Sequence, residues 1–418
     1  KCEVIMKLKL KNIGKITSAE VEIAGITVIA GPNSTGKSTI SKSLFAMFNS
    51  LHNLSQKVKK EQEISIRQLF SNNIDEYFKE FVLIENKKIS PEDLSALLVG
   101  VSEKKDIINI MKKFDISSDF YSDILNGIEE INRIPKKRIE YEILQSSFQK
   151  EFNGRIHNIF SDNNCEIGLV VQGREQKIVF NHNDDLIEDD NLFQLDHEVV
   201  YIDDPFVMDY NSKLEKEGWI FYPDGITTTK NHREAVIAQY SKTDTLTIVQ
   251  RASIKSNLDL AYAKINEALE SELKLIAPRN SDDEKLPSGK LPVESLSSGA
   301  KTFYLMKVLL DNGTIVKNGT LILDEPEVHL HPAWEIILAE MIVLLQKEMQ
   351  LHILINTHSP YFIRAIDVYS RKHEIDEKTN YYLSFKEGSG STVKRVEYLT
   401  EIYKLLSKPL QILEDEGI

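Results

Sequence analysis

Apolar and polar positions change period several times along the chain. Met6 to Leu10 and Ala19 to Ile23 read as short strands, and the apolar run Ile26 to Ala30 reads as a third that feeds directly into Gly31. A helix follows the glycine-rich turn, so the first fifty residues look like the start of an α/β core. Residues 1–5 precede Met6, a natural start, and are assigned no element.

From about 51 to 160 the pattern turns helical and polar. Ile139, Ile143, Leu144, Phe148 and Phe152 recur at four to five positions and form one stripe, as in an inserted helical region. Residues 165 to 180 alternate around Gln172-Gly173-Arg174 as a hairpin does, and Glu198 to Ile202 reads as a buried strand ahead of Asp203-Asp204-Pro205. Leu258, Tyr262, Ile265, Leu269, Leu273 and Ile276 predict another helix, followed by a linker from Pro278 to Pro292. The α/β pattern then returns: a helix over 299–310, a strand over 320–323, a helix over 332–347, a strand over 351–356 and a hairpin around 388–391. The expected division is therefore 1–50 and 291–418 as two halves of one core, 51–164 as a helical insertion, 165–205 as β segments returning to the core, and 206–290 as helical insertion and linker.

Composition changes this picture little. The 418 residues, 41% of them hydrophobic, with 12 Pro and 18 Gly, suit packed cores. The apolar run Ile336 to Leu345 is interrupted by Glu340 and is too short for a bilayer; with no signal-peptide pattern, the expectation is a cytoplasmic chain without membrane contact. Cys2 and Cys165 have neither disulfide-framework nor metal-type spacing. A formal charge of -13 argues against wrapping nucleic acid with the whole surface, while Lys136, Lys137 and Arg138 leave a local phosphate contact open.

The chemistry begins at Gly31, Pro32, Asn33, Ser34, Thr35, Gly36, Lys37, Ser38 and Thr39, which fit G-x-x-x-x-G-K-[ST] between a strand and a helix. Glycines let backbone amides curl around phosphates and the helix N-terminus adds a favourable dipole; Lys37 reaches the β and γ phosphates and Ser38 ligates magnesium. ATP and Mg2+ are the implied cofactors. Leu321-Ile-Leu-Asp324-Glu325 is an apolar strand that delivers two carboxylates at its C-terminal end. There Asp324 would hold the magnesium shell and Glu325 would orient or deprotonate the attacking water. Alone, such a pair is more often a solvated turn; with the glycine loop upstream it is the second half of one site.

Leu296-Ser297-Ser298-Gly299-Ala300 resembles the signature loop of ABC ATPases, with Ser298 and Ala300 as departures from the usual L-S-G-G-Q. In isolation Ser297 would be a helix N-cap. The resemblance implies that Ser297, Ser298 and Gly299 form a second phosphate cradle offered to ATP held by the opposite subunit. His358, in Ile355-Asn-Thr-His358-Ser-Pro360, matches the switch histidine of the same proteins. A lone His at a strand end is usually structural, but glycine loop, signature, acidic pair and His follow the superfamily's order.

Asp324-Glu-Pro-Glu-Val-His329-Leu-His331-Pro332 and Thr357-His-Ser-Pro360 resemble the OLD-type and RecF-like branch of ABC ATPases over residues 6–50 and 290–365. The resemblance implies an ABC-type P-loop NTPase core with a mixed sheet, an α/β fold class, interrupted by a large, mainly helical insertion. It further implies a dimer or higher homo-oligomer, with Glu327 to His331 as a dimer-contacting loop. A metal site at His329 and His331 is the rival reading of that segment. Only about 60 residues follow His358, and they show no acidic cluster for a two-metal nuclease. Any nuclease or toxin is therefore expected as a separate effector, as in the stand-alone ATPase subunits of Septu-like or PARIS-like phage-defence systems. A RecF-like repair ATPase and an ATP-binding scaffold with little hydrolysis are the alternatives. The glutamine of the Q-loop usual in such ATPases stays unassigned between Gln172, in the hairpin, and the Asp203-Asp204 segment after a strand.

Overall fold

The computed structural model describes residues 6–73, 82–84, 87–113, 121–189, 192–209, 228–242, 246–249, 251, 256, 258–269, 272–276 and 290–416. The chain forms two compact units, one of Lys1–His52, Ser147–Phe221 and Lys230–Ile418, the other of Asn53–Ser146 and Tyr222–Thr229.

The larger unit carries a mixed sheet. Its strands are β1 (Met6–Ile13), β2 (Ile16–Ile23), β3 (Ile26–Ala30), β6 (Cys165–Val171), β7 (Arg174–Phe180), β8 (Leu186–Asp189), β9 (Val199–Ile202), β10 (Thr320–Asp324), β11 (His352–Thr357), β12 (Thr379–Glu387) and β13 (Gly390–Val396). They lie in the order β8-β7-β6-β1-β2-β13-β12-β3-β11-β10-β9. β3, β9 and β10 are buried at every position, the continuous apolar signature of strands covered on both faces, and β12-β3-β11-β10-β9 is wholly parallel. The β1-β2 and β6-β7-β8 meanders are antiparallel; β1 alternates between buried and more exposed positions, whereas β6 and β7 each carry a run of three buried residues, 167–169 and 178–180. Cys165 is buried on β6, and burial pushes its thiol well above the usual range.

Helices of this unit include α1 (Lys37–Leu51), which leaves β3 through the glycine loop. In the smaller unit, α2 (Leu54–Asn73), α3 (Pro91–Leu98), α4 (Lys104–Lys112) and α5 (Tyr121–Arg133) close on their own core of Ile66, Phe70, Leu98, Ile107, Met111 and Ile128. A two-stranded hairpin, β4 (Val82–Ile84) and β5 (Lys87–Ile89), lies in the same stretch of chain. α6 (Lys136–Glu151) runs from the smaller unit into the larger. The larger unit continues with α7 (His232–Ser241), α8 (Asp259–Leu269), α9 (Ser298–Asp311), α10 (Pro332–Met349), α11 (Pro360–Lys372), α12 (Leu399–Leu406) and α13 (Lys408–Asp415). The apolar faces of α7 to α12 share one core with the parallel strands: Phe303, Leu309, Ile342, Phe362 and Ile366 pack with Val28, Leu323 and Ile355.

One expected helix is shorter than its periodicity implies. α8 ends at Leu269, whose carbonyl accepts from the amides of Glu272 and Leu273, and Ile276 pairs as a bridge with Leu291. Leu273 and Ile276 keep a helical spacing because turn and bridge both turn them toward the core. The linker from Pro278 lies outside the described residues up to 289. Among the described residues no helix is long and apolar enough to cross a membrane.

Candidate functional site

Four parallel strands, β3, β9, β10 and β11, end side by side, and the chain segments that follow them carry the polar groups of interest. After β3 the chain turns through Ser34 (φ 64°) and Gly36 (φ 87°) into α1. A side chain at Gly36 would also meet Ile16, since an added Cβ would lie 2.5 Å from its Cδ1. Thr35 Oγ1 donates to the Pro32 carbonyl at 2.8 Å, and Ser384 on β12 donates to the Thr35 carbonyl at 2.7 Å, so the loop is pinned from within and from the neighbouring strand. Lys37 is buried: its Nζ donates to the carbonyls of Gly31 (3.0 Å) and Pro32 (3.2 Å) and lies 3.7 Å from Glu325 Oε1. Asn33, Ser34 and Ser38 are exposed and Thr39 is half-buried.

β10 ends in Asp324, a buried carboxylate with one donor on each oxygen. Tyr201 Oη donates to Oδ2 and Asn356 Nδ2 to Oδ1, both at 2.9 Å, and the same amide is 2.8 Å from Ser41 Oγ. Glu325 follows in the left-handed region (φ 51°), with its amide bonded to the Asn356 carbonyl at 2.8 Å. That backbone costs a non-glycine residue about 1 kcal/mol, a strain typical of functional turns. Glu325 Oε1 is 3.4 Å from His358 Nδ1, so the glycine loop, the acidic pair and the histidine just beyond β11 converge.

Glu327 opens the loop expected to contact a second copy, and its own side chain is buried because it turns inward to cap the end of β11. Its Oε1 accepts from Thr357 Oγ1 and from the amides of His358 (3.2 Å) and Ser359 (3.3 Å). Burial pushes its carboxyl above the usual range, against the opposing pull of those donors. Val328, His329 and His331 remain exposed, and His331 Nδ1 accepts from the Ala333 amide at the start of α10.

Ser297 is the N-cap of α9, its hydroxyl accepting from the Ala300 amide at 3.4 Å and lying 3.2 Å from Glu272 Oε1. Gly299 is a packing requirement, since a Cβ there would lie 2.8 Å from the Trp334 ring. Among the described residues, Ser297, Ser298 and Gly299 share no hydrogen bond with residues 31–39 of the same chain. Gln172 sits at the tip of the β6-β7 hairpin, whereas Asp203 and Asp204 follow β9 and line a cavity of about 220 Å3 with Phe206, Asp324, Glu325 and His329. Of the two candidates for the unassigned position, only the Asp203-Asp204 segment shares a cavity with the acidic pair.

Sequence reasoning missed the groups behind this edge. His232 Nδ1 is 2.7 Å from Glu151 Oε1, its amide donates to Glu151 Oε2 at 2.9 Å, and its Nε2 lies 3.1 Å from Asp203 Oδ2. Burial works against a charged ring, but the bonds to Asp203 and Glu151 outweigh it and push the pKa up to about 9. Burial likewise opposes ionisation of Asp203, yet His232 and Arg233 hold it down at about 2. Tyr201 stacks on the His232 ring, centroids 4.3 Å apart. The one signal in the sequence was the pattern Asn231-x-x-Glu234, a capping box that marks the start of α7 and so places His232 in its first turn.

A family model described as "AAA domain, putative AbiEii toxin, Type IV TA system" matches residues 26–364. No curated protein matches the chain. Similar solved structures include the SMC head domain from Thermotoga maritima (12% identity, TM-score 0.34, covering 94% of this chain and 99% of that one). Another is the Smc head domain from Pyrococcus furiosus bound to the C-terminal domain of ScpA (13%, TM-score 0.34, 100% of each chain). A third is an ATP-binding cassette of an ABC transporter in its ADP conformation (11%, TM-score 0.34, 100% of each chain).

Proposed function

We propose that this chain, which belongs to the AAA-domain family matched over residues 26–364, is a magnesium-dependent ATPase whose two-copy closure controls a separate effector protein. The observation that carries the ATPase reading is the convergence, at the ends of adjacent parallel strands, of Lys37 and His358 on Glu325, at 3.7 and 3.4 Å. The residues present fit magnesium, because the Ser38 hydroxyl and the Asp324 carboxylate are hard oxygen donors of the kind it takes beside phosphate. Ser38 and Asp324 would hold the ion, which supplies charge neutralisation on the phosphates.

The chain's own groups divide the remaining work. The amides of the glycine loop and of the first turn of α1 bind phosphate, and Lys37 exchanges its two loop carbonyls for phosphate oxygens. Glu325 orients the attacking water and takes its proton, and His358 places a polar ring beside the group being transferred. The exposed Ser297 hydroxyl caps α9, and the absence of bonds between this loop and residues 31–39 fits a site completed by a second copy. Loss of the terminal phosphate then weakens the joint between copies.

Control of an effector in antiviral defence, in the OLD-like branch, rests on the sequence resemblance. Replacing Glu325 by Gln tests the core of the reading. Hydrolysis is expected to fall at least 100-fold while ATP binding persists and an ATP-dependent dimer accumulates in light scattering. Undiminished hydrolysis would sink the assignment of the base. Purification with ATP and magnesium, followed by mass spectrometry, tests the rest. A stoichiometric nuclease or toxin supports effector control, whereas duplex DNA with repair proteins and no such effector overturns it in favour of the RecF-like alternative.

A further inference from the structure

We propose that Tyr201 is a positioning residue for the Asp324 carboxylate, fixing the plane in which that group meets a divalent cation; this rests on the magnesium-dependent reading above. An aspartate side chain turns easily about its last torsion, where the energy profile is broad and two-fold. In this fold the two oxygens are held by donors from the strands on either side of β10: Asn356 of β11 on Oδ1 and Tyr201 of β9 on Oδ2, each at 2.9 Å. With both bonds in place the carboxylate cannot rotate without breaking one of them.

The phenol is itself immobilised. Tyr201 is 1% exposed, and Phe45 of α1 packs on it at a tilt of 56°, with ring centroids 6.0 Å apart. His232 stacks on it with an interplanar angle of 23°. His232 is in turn clamped by Glu151 at the end of α6 and by Asp203 just beyond β9. A hydroxyl buried this completely is costly unless bonded, and its bond is to Asp324. Phenylalanine would fill the same space, so packing alone does not call for tyrosine here. What the hydroxyl adds is the second restraint on Asp324, the kind of outer contact whose loss typically weakens metal affinity 10- to 100-fold.

The test uses the full chain and manganese as a paramagnetic stand-in, with Mn2+ bound to the ATP-loaded protein titrated by electron paramagnetic resonance. ATP affinity in EDTA is measured in parallel. Tyr201→Phe keeps the ring, its stack on His232 and the fold. It is expected to weaken Mn2+ binding about tenfold and to leave metal-free ATP affinity and thermal stability near wild type. Asp324→Asn is the reference. If it weakens Mn2+ and Tyr201→Phe does not, the positioning role is overturned while the ATPase reading stands. If Asp324→Asn itself leaves Mn2+ binding unchanged, the assignment of Asp324 falls, and this inference falls with it. A purely structural role for Tyr201 would lower stability and metal-free ATP affinity together, which also overturns the proposal.

Discussion

Raising the pH removes the proton that keeps the His232 ring charged between Glu151 at Nδ1 and Asp203 near Nε2, and the contacts around the ring set how much stability goes with it. The folded pKa is about 9 against an ordinary 6.5, so the folded chain holds this proton more tightly than the unfolded chain does. The contribution is therefore complete below about pH 6.5, declines between 6.5 and 9, and is gone above 9. A separation of about 2.5 pKa units corresponds to about 3 kcal/mol, of which about 2 remain at pH 7.5. The depressed pKa of Asp203 arises partly from the same contact and is not added to this figure.

Urea unfolding at pH 6, 7.5, 9 and 10 compares the wild type with His232→Gln, both in a Trp219→Phe background. Trp334 is then the one remaining indole, and it packs on Phe303 in the unit that holds His232. The stability gap between the two proteins is expected to shrink by about 3 kcal/mol from pH 6 to pH 10. A gap that stays constant across this range would refute the claim that the ring is held charged.

Other outcomes follow from the same geometry. Gly299→Ala gains about 1 kcal/mol of helix propensity but forces a methyl to within 2.8 Å of the rigid Trp334 ring, an overpacking cost of about 1–3 kcal/mol. A melting temperature below wild type is expected, and one equal to or above it would contradict the packing. Ser297→Ala removes one cap hydrogen bond, about 1 kcal/mol. Hydrolysis under conditions where the variant is folded is expected to fall well beyond that cost if the loop serves a second copy's site, and to stay at the wild-type rate if the residue is only a cap.

The sequence by itself determined the parts whose chemistry is local. A phosphate loop needs contiguous backbone, so Gly31 to Ser38 is legible as a string, and β3, β10 and β11 announce themselves as short apolar runs because both faces of each are covered. The acidic pair and His358 are legible as strand ends. Only the tertiary structure decided the strand order: β2 and β3 are neighbours in sequence, yet β12 and β13, more than 350 residues later, separate them in the sheet. Hydrophobic period reports which face is buried and carries no information about which strand lies alongside. The restraints on the site were hidden for the same reason. Glu151, Tyr201 with Asp203, His232 and Asn356 come from four separate stretches, and although Asp203 and His232 leave local traces as a strand-end acid and a helix start, nothing in the types or spacing of these residues links them until the fold brings them behind Asp324.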